Sequence, residues 1–169
     1  MKTKIKEIVS MNIVMASDGS GLTLKEAVKN YLSERGYNVI DVGQQINGEP
    51  ITHINAARNL AKKIRSQECQ KGIIICGTGA GASISMNKIR GMYCVACESV
   101  YTAQNIALIN NANVLAMGGR VLGPENACQM AEIFLRSEFS QGFNPARKQI
   151  VEGLYKDLLL LEEDFCLNK

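Results

Sequence analysis

Hydrophobic residues are grouped along the chain in short apolar runs that alternate with segments of helical periodicity. The runs are rich in Val, Ile, Ala and Met, and they cover Met11–Ala16, Tyr37–Val42, Gly72–Cys76, Met92–Cys97 and Asn113–Met117. Apolar runs of this length, closed by polar or glycine residues, are typical of β-strands. The unbroken apolar stretch of Gly72–Cys76 is typical of a central parallel strand that is covered on both faces.

The segments between these runs carry apolar residues three and four positions apart, which predicts amphipathic helices. We expect helices from Leu22 to just before Gly36, from Ile54 to Ser66, from the residues after Gly81 to Lys88, from Val100 to Asn110 and from Pro124 to Ser137. Alternating strands and helices predict an α/β fold, here a doubly wound parallel sheet of five strands with helices on both faces and right-handed crossovers.

A chain of 169 residues accommodates one such domain. We assign residues 11–143 to it, residues 1–10 to an N-terminal extension, and residues 144–169 to a C-terminal helix and tail. This helix contains Leu158-Leu-Leu-Leu161 followed by Glu-Glu-Asp. An apolar helix beyond a completed sheet needs a cover, and a second copy of the chain is one candidate.

Composition and charge exclude several functions. The chain is 46% hydrophobic and 21% charged with a net charge of +3, as in ordinary globular proteins. No apolar run approaches the roughly 20 residues that cross a bilayer, and the N-terminus lacks the apolar core of a secretory signal. The basic residues are scattered, and only 5% of the residues are aromatic, which disfavours nucleic-acid binding. We therefore expect a cytoplasmic protein with neither a membrane nor a nucleic acid as its partner.

The six cysteines, at positions 69, 76, 94, 97, 128 and 166, are interpreted as reduced thiols. Cys94 and Cys97 have the C-x-x-C spacing, but inside a strand this spacing directs the two side chains to opposite faces. No second pair completes a zinc site, so we expect no metal. His53 is the only histidine, and it is either a substrate contact or a solvated helix start, of which we favour the second.

The segment Cys76-Gly-Thr-Gly-Ala-Gly81 is the strongest candidate for chemistry, because ligands of open α/β sheets bind outside the carboxyl ends of the strands. Its glycines allow several amides to converge on an oxyanion or a phosphate, and the same amides favour the thiolate of Cys76. The spacing differs from the Gly-x-Gly-x-x-Gly dinucleotide fingerprint, and no Walker lysine follows, so no nucleotide cofactor is expected. A base, the hydroxyl of Thr78 and an amide nest suit proton transfer beside a carbonyl. The alternative is that Cys76 is a buried small hydrophobe and the glycines form only a tight turn.

Three charged residues are further candidates. Asp18 follows the first strand and is either a helix N-cap or a group that projects into the cleft. Arg120 and Arg147 are candidate phosphate ligands by residue type alone.

Taken together, these segments resemble the class B ribose-5-phosphate isomerase and galactose-6-phosphate isomerase family. The resemblance runs from about Met11 to Arg147. It rests on Gly72–Gly91, which contains Cys-Gly-Thr-Gly-Ala-Gly and the later Asn-Lys pair, and on Asn110–Arg120. The combination of the two blocks is specific to this family.

The resemblance implies a Rossmann-like aldose–ketose isomerase of sugar phosphates that acts through a cis-enediolate without cofactor or metal. It implies that Cys76 is the base and that Thr78 assists proton movement between the oxygens. The remaining implied substrate contacts are Asp18, Gly19, the amides of Gly77, Gly79, Ala80 and Gly81, and the side chains of Asn110, Arg120 and Arg147. It also implies a homodimer, or a dimer of dimers, in which Asn110 reaches the partner's site and the C-terminal helix serves dimerisation.

Three positions depart from the family pattern. Gly19 stands where many members have a histidine at the phosphate end, Ile109 replaces the histidine associated with furanose ring opening, and Phe143 replaces an arginine near the C-terminus. An isomerase without the ring-opening imidazole is best matched to a substrate that is already open-chain, such as a four-carbon sugar phosphate. We therefore place a tetrose-type substrate ahead of ribose 5-phosphate.

Two other classes of function remain as alternatives. The first is a non-catalytic sugar-phosphate-binding protein, or one chain of a heteromeric galactose-6-phosphate isomerase. The retained Cys76 and Thr78 argue against it. The second is a nucleotide-binding module of the universal-stress type, for which the chain shows no phosphate loop after the fourth strand.

Overall fold

The computed structural model describes residues 11–166, in which five strands and six helices follow one another along the chain. The strands are β1 Asn12–Ser17, β2 Asn38–Asp41, β3 Lys71–Cys76, β4 Cys94–Ala96 and β5 Val114–Gly118. The helices are α1 Leu22–Ser33, α2 His53–Arg65, α3 Ala80–Met86, α4 Val100–Leu108, α5 Pro124–Arg136 and α6 Pro145–Cys166. The predicted N-terminal extension at residues 1–10 and the last residues of the tail, 167–169, lie outside the described residues.

The five strands form one sheet in the order β2-β1-β3-β5-β4, and all four pairings are parallel. The predicted doubly wound sheet is therefore confirmed. The chain runs from β1 outward to β2 and then returns to β3 on the other side of β1. The crevice between the carboxyl ends of β1 and β3 is thus the switch point at which open α/β sheets bind their ligands.

Both faces of the sheet are covered, as the apolar character of β3 predicted. Ile73 and Ile75 belong to the apolar cluster on the face covered by α1, α4 and α5, whereas Ile74 and Cys76 belong to the cluster on the face covered by α2 and α3. This alternation follows from the two-residue period of a strand. It places the side chain of Cys76 on the same face as α2.

The elements match their predicted bounds to within one or two residues, and two of the differences have a local cause. β4 is limited to Cys94–Ala96 because it pairs only with β5, and the preceding Tyr93 amide donates instead to Asn113 Oδ1 at 2.9 Å. α3 begins at Ala80, inside the predicted loop, because Gly79 at φ 81° acts as its N-cap and turns the chain directly into the helix.

A buried ion pair holds the end of β2 against α1. The ammonium of Lys25, a residue with no exposed surface, donates to both carboxylate oxygens of Asp41 at 2.9 and 2.7 Å and to the Gln44 carbonyl at 2.6 Å. We call Lys25, Asp41 and Gln44 the lysine cluster. Burial alone would raise the pKa of Asp41, but hydrogen bonds from Lys25, the Gly43 amide and Lys29 outweigh it and lower this pKa. The cluster fixes the start of the segment that leads into α2.

The C-terminal helix α6 is partly covered by its own chain. Glu162 accepts hydrogen bonds from the Gly91 amide and the Tyr93 hydroxyl, both at 2.9 Å, and the Tyr155 ring contacts the rings of Tyr93 and Phe139. Large apolar side chains along the helix remain exposed, namely Ile150, Leu154, Leu158, Leu160, Leu161 and Phe165. A second copy as the cover for these residues stays a prediction.

Within residues 11–166, every helix is either too short or too polar to cross a lipid bilayer.

Candidate active site

Three strand-end loops meet at the carboxyl edge of the sheet. The Asp18 amide donates to the Ile75 carbonyl at 3.3 Å, the Gly119 amide to the Cys76 carbonyl at 2.7 Å, and the Arg120 amide to the Gly77 carbonyl at 3.0 Å. The loops after β1, β3 and β5 therefore form one connected surface at the switch point.

Two glycines allow this close approach. A Cβ at Gly21 would lie 2.3 Å from the Ile75 carbonyl oxygen, and a Cβ at Gly119 would lie 2.8 Å from the Ser20 carbonyl oxygen. Because both obstacles are backbone atoms, a side chain at either position would push the loops apart.

The Cys76 thiol lies at the end of β3, as predicted, and is held by the loop that follows. The Gly79 amide donates to its Sγ at 3.2 Å. Cys76 is 5% exposed, whereas Ile73, Ile74 and Ile75 earlier in the strand have no exposed surface. Cys76 is therefore almost fully buried at the last position of the strand, in the apolar cluster beneath α2 and α3, and its role as the base stays a prediction. We call residues 76–81 the thiol loop.

Thr78 belongs to the same loop and is exposed. Its Oγ1 accepts a long hydrogen bond of 3.4 Å from the Ala80 amide. The amides of the thiol loop thus approach both predicted catalytic side chains. Gly79 adopts a φ of 81° at this turn, which favours glycine, and a Cβ there would in addition lie 3.1 Å from the backbone of Met117.

Asp18 organises the turn before α1. Its Oδ1 accepts hydrogen bonds from the Ser20 amide at 2.9 Å, the Ser20 hydroxyl at 2.6 Å and the Gly21 amide at 3.1 Å. The helix N-cap interpretation of Asp18 is wrong, because Gly21 is the N-cap of α1 and Asp18 holds the turn before it. Its projection into the cleft stays a prediction.

Gly19, next to Asp18, is exposed, and a Cβ built on it meets no atom within 4 Å. The space for a larger side chain is therefore present, although the side chain is not.

Arg120 lies beside the thiol loop. A Cβ built on Gly77 would be 3.8 Å from Arg120 Cδ and 3.3 Å from Ser20 Oγ. The side chain of Arg120 therefore borders the loop at its Gly77 end.

Asn110 and Arg147 lie at the opposite edge of the sheet. Asn110 follows the end of α4, which runs from the carboxyl edge to the amino edge, and the Ser140 amide donates to the Leu108 carbonyl at 2.9 Å. Arg147, in the first turn of α6, places its guanidinium 4.5 Å from the Phe143 ring centre. One chain alone therefore does not bring these two predicted ligands to the thiol loop.

His53 is nearer to the thiol loop than its interpretation as a solvated helix start implied. It is the first residue of α2 and half-buried, and a Cβ at Gly81 would lie 3.1 Å from its Nε2 and 3.2 Å from its Cδ2. The predicted helix start is confirmed, but the ring is only partly exposed to solvent and lies beside the thiol loop. The sequence signal for this position was Thr52, a threonine suited to N-cap a helix directly after a strand-end loop. A helix that begins there has its first residue, His53, at the carboxyl edge.

The C-x-x-C thiols are separate from each other. Cys94 and Cys97 belong to the clusters on opposite faces of the sheet, as predicted. Burial raises the pKa of Cys94 to about 12 and that of Cys97 to about 11, so both are protonated near neutral pH. Among residues 11–166, no three His, Cys, Asp or Glu side chains are grouped as metal ligands would be.

The fold and the site define an α/β protein with a strand-end thiol, a neighbouring hydroxyl and a guanidinium at its switch point. A profile of the ribose/galactose isomerase family matches residues 13–151, and the chain belongs to this family.

The similarity extends over nearly the whole chain. The chain is 39% identical to the 4-deoxy-4-sulfo-D-erythrose isomerase of Clostridium sp. (strain MSTE9), over 90% of this chain and 96% of that protein. It is 36% identical to the D-erythrulose-4-phosphate isomerase of Pectobacterium atrosepticum, over 78% and 87% of the two chains. The structure of ribose-5-phosphate isomerase B from Clostridium thermocellum superposes with a TM-score of 0.82 at 34% identity, covering 92% of this chain and 99% of that one.

Proposed function

We propose that the chain is an aldose–ketose isomerase of a four-carbon sugar phosphate, with Cys76 as the base. The observation that carries this proposal is the Cys76 sulfur at the carboxyl end of β3, with the Gly79 amide 3.2 Å away and Thr78 in the same loop. Membership in the isomerase family supports the reaction class.

The proposed reaction moves two hydrogens and leaves the composition of the sugar unchanged. The Cys76 thiolate takes the proton from C2 of the aldose, and the electron pair of that bond forms the C1–C2 double bond of a cis-enediolate. The amides of Gly77, Gly79, Ala80 and Gly81 stabilise the negative oxygen. Thr78 assists proton transfer between O2 and O1, and the Cys76 thiol then returns its proton to C1 to give the ketose.

The departures at Gly19, Ile109 and Phe143 support a four-carbon substrate. A 4-phosphorylated tetrose cannot close a furanose, because its C4 oxygen carries the phosphate, so the imidazole missing at Ile109 is not needed. The relatives named for 4-deoxy-4-sulfo-D-erythrose and D-erythrulose 4-phosphate support the same choice. Arg120 would bind the anionic end of this substrate, and Asp18 a sugar hydroxyl through the carboxylate oxygen that does not cap the turn.

A homodimer would complete the site. Asn110 and Arg147 lie at the amino edge, so they would reach the thiol loop of a second copy that packs with its strands reversed. The exposed leucines of α6 supply apolar surface for such a contact. We place the enzyme in the cytoplasm, where its thiols stay reduced.

The test is turnover of four-, five- and six-carbon sugar phosphates, and of the four-carbon 4-sulfonate, by the wild-type chain and by Cys76→Ala. We expect isomerisation of a four-carbon substrate, with solvent deuterium incorporated at the carbon that receives the proton. The variant should still bind the substrate without turning it over. A chain that turns over only ribose 5-phosphate would contradict the substrate. Binding without turnover by the wild-type chain would favour the alternative of a non-catalytic sugar-phosphate-binding subunit.

A further inference from the structure

We propose that His53 is a substrate-contacting residue of this site, which donates a hydrogen bond from its imidazole to an oxygen on the reacting carbons. The inference rests on the proposed isomerase function and concerns the same site. It assigns a role to the single imidazole of the chain.

The position of His53 follows from the geometry of α2. Helix α2 begins at the carboxyl edge, and its first residue is His53, held there by Thr52, whose Oγ1 accepts the Asn55 amide at 3.2 Å. Ala56 and Ala57, three and four residues later, are buried on the same face of the sheet as Cys76. Residues three and four apart share one side of a helix, so His53 is directed to the face and the edge on which Cys76 lies.

Gly81 allows the imidazole to reach the thiol loop. The ring packs against the Cα side of Gly81 so closely that an added Cβ would lie 3.1 Å from Nε2 and 3.2 Å from Cδ2. Cβ atoms are normally not packed this tightly, so any larger residue at 81 would displace the ring. Glycine at position 81 therefore permits the contact with the His53 ring, and it still supplies its backbone amide to the thiol loop.

The position of His53 favours a contact with the reacting end of the substrate over a contact with its anionic end. Arg120 borders the thiol loop at Gly77, and His53 borders it at Gly81, with Cys76 and Thr78 on the same loop. If the anionic group binds beside Arg120, the other end of a short substrate carries C1 and C2. An imidazole N–H is a suitable donor to an oxygen that gains negative charge there.

The test compares His53→Ala and His53→Gln, with Asn55→Ala as a control in the same turn of α2. Because one oxyanion donor contributes about 10²-fold to kcat or more, we expect His53→Ala to lower kcat about 100-fold while KM changes less than about threefold. Glutamine also carries an N–H donor and should recover about tenfold of this loss. Asn55→Ala should match the wild-type chain.

A double-mutant cycle with Gly81→Ala separates a chemical role from packing. Gly81→Ala should lower kcat about tenfold in the wild-type background, and it should have almost no effect when His53 is already alanine. Thermal unfolding of each variant checks that the fold is kept.

Nuclear magnetic resonance provides a readout without turnover. The only imidazole gives one set of ring signals, which should shift when a hydroxamate analogue of the four-carbon enediolate binds, and should shift less in Gly81→Ala. Three results would overturn the proposal: unchanged kcat in His53→Ala with an active wild-type chain, a rise in KM alone, or equal losses for alanine and glutamine. An inactive wild-type chain on every sugar phosphate would instead refute the proposed function.

Discussion

In the lysine cluster, the buried ammonium of Lys25 contacts both oxygens of Asp41 and the Gln44 carbonyl. In the thiol loop, at the same edge of the sheet, the hydrogen bonds to the two predicted catalytic side chains are those from Gly79 to sulfur and from Ala80 to Thr78, at 3.2 and 3.4 Å. The first region uses its polar groups on one another and holds the fold. The second binds its two side chains by longer hydrogen bonds from loop amides and leaves Thr78 exposed, so substitutions in the two regions should affect different properties.

The largest expected effect is the loss of turnover in Cys76→Ala. Removing the base should lower kcat on the four-carbon substrate about 10³-fold or more, because general-base catalysis contributes about 10²–10⁴-fold and the enediolate cannot form otherwise. The free energy of unfolding should fall by only about 1 kcal/mol, since one small buried group is removed.

The matched control is Cys94→Ala, which removes a buried thiol on the same face of the sheet. Steady-state kinetics and denaturant unfolding should show a similar loss of stability and activity within about threefold of the wild-type chain. Equal activity losses in the two variants would erase the distinction between the thiol loop and the other thiols.

The next largest effect is the loss of stability when the lysine cluster is disrupted. Lys25→Met leaves Asp41 buried with Lys29 as its remaining ammonium partner, so the free energy of unfolding should fall by about 3 kcal/mol. Lys29→Met, at the more exposed cation of the same carboxylate, should cost about 1 kcal/mol or less. Urea unfolding measures both changes.

The activity of Lys25→Met tests whether the lysine cluster also serves the reaction. The folded fraction should retain kcat within about threefold, because the cluster makes no proposed substrate contact. A fully folded Lys25→Met variant that has lost turnover would show that the cluster serves the reaction directly.

The thiol loop could be predicted from the sequence, whereas the lysine cluster could not. The apolar run Gly72–Cys76 followed by alternating glycines has one simple interpretation, a central strand that ends in an amide-rich turn, and the structure agrees. The lysine cluster could not be predicted in this way. Lys25 lies in a helix whose pattern allows a solvated lysine, and only the position of Asp41 on a neighbouring strand shows that it is buried.

The same limit applies to the contact between His53 and Gly81. Each residue has an ordinary local explanation, a helix start and a glycine turn, and their contact depends on how α2 packs on the sheet. The outer surface of α6 is a third case. Its leucine run predicts a cover, but tertiary contacts of Tyr155 and Glu162 decide how much of that cover comes from the same chain.

A smaller effect is expected when histidines are restored at positions 19 and 109, which tests whether these two positions determine the substrate. The space at Gly19 and the half-buried Ile109 allow a Gly19→His, Ile109→His double variant. An imidazole for the phosphate end at position 19 and one for ring opening at position 109 should together raise kcat/KM for ribose 5-phosphate about tenfold, with four-carbon turnover unchanged. Gly19→Gln, Ile109→Gln is the matched control, and an equal gain in that variant would attribute the change to size rather than to the imidazole.

The smallest effect is the pH dependence of stability that the lysine cluster imposes. The pKa of Asp41 lies below its unfolded value of 3.8, so its contribution to stability is fully present above about pH 4 and is lost as the pH falls through the lower, folded-state pKa. Protonation also leaves the buried Lys25 ammonium with Glu26, at 3.2 Å, as its remaining carboxylate partner. The difference in free energy of unfolding between the wild-type chain and Asp41→Asn should therefore be constant from pH 7 to 5 and shrink below pH 4. Glu68→Gln removes a carboxylate from an exposed pair with Lys63 and should leave the pH profile nearly unchanged. A difference that stays constant down to pH 3, measured by urea unfolding, would mean that the cluster holds the fold by packing and not by its charges.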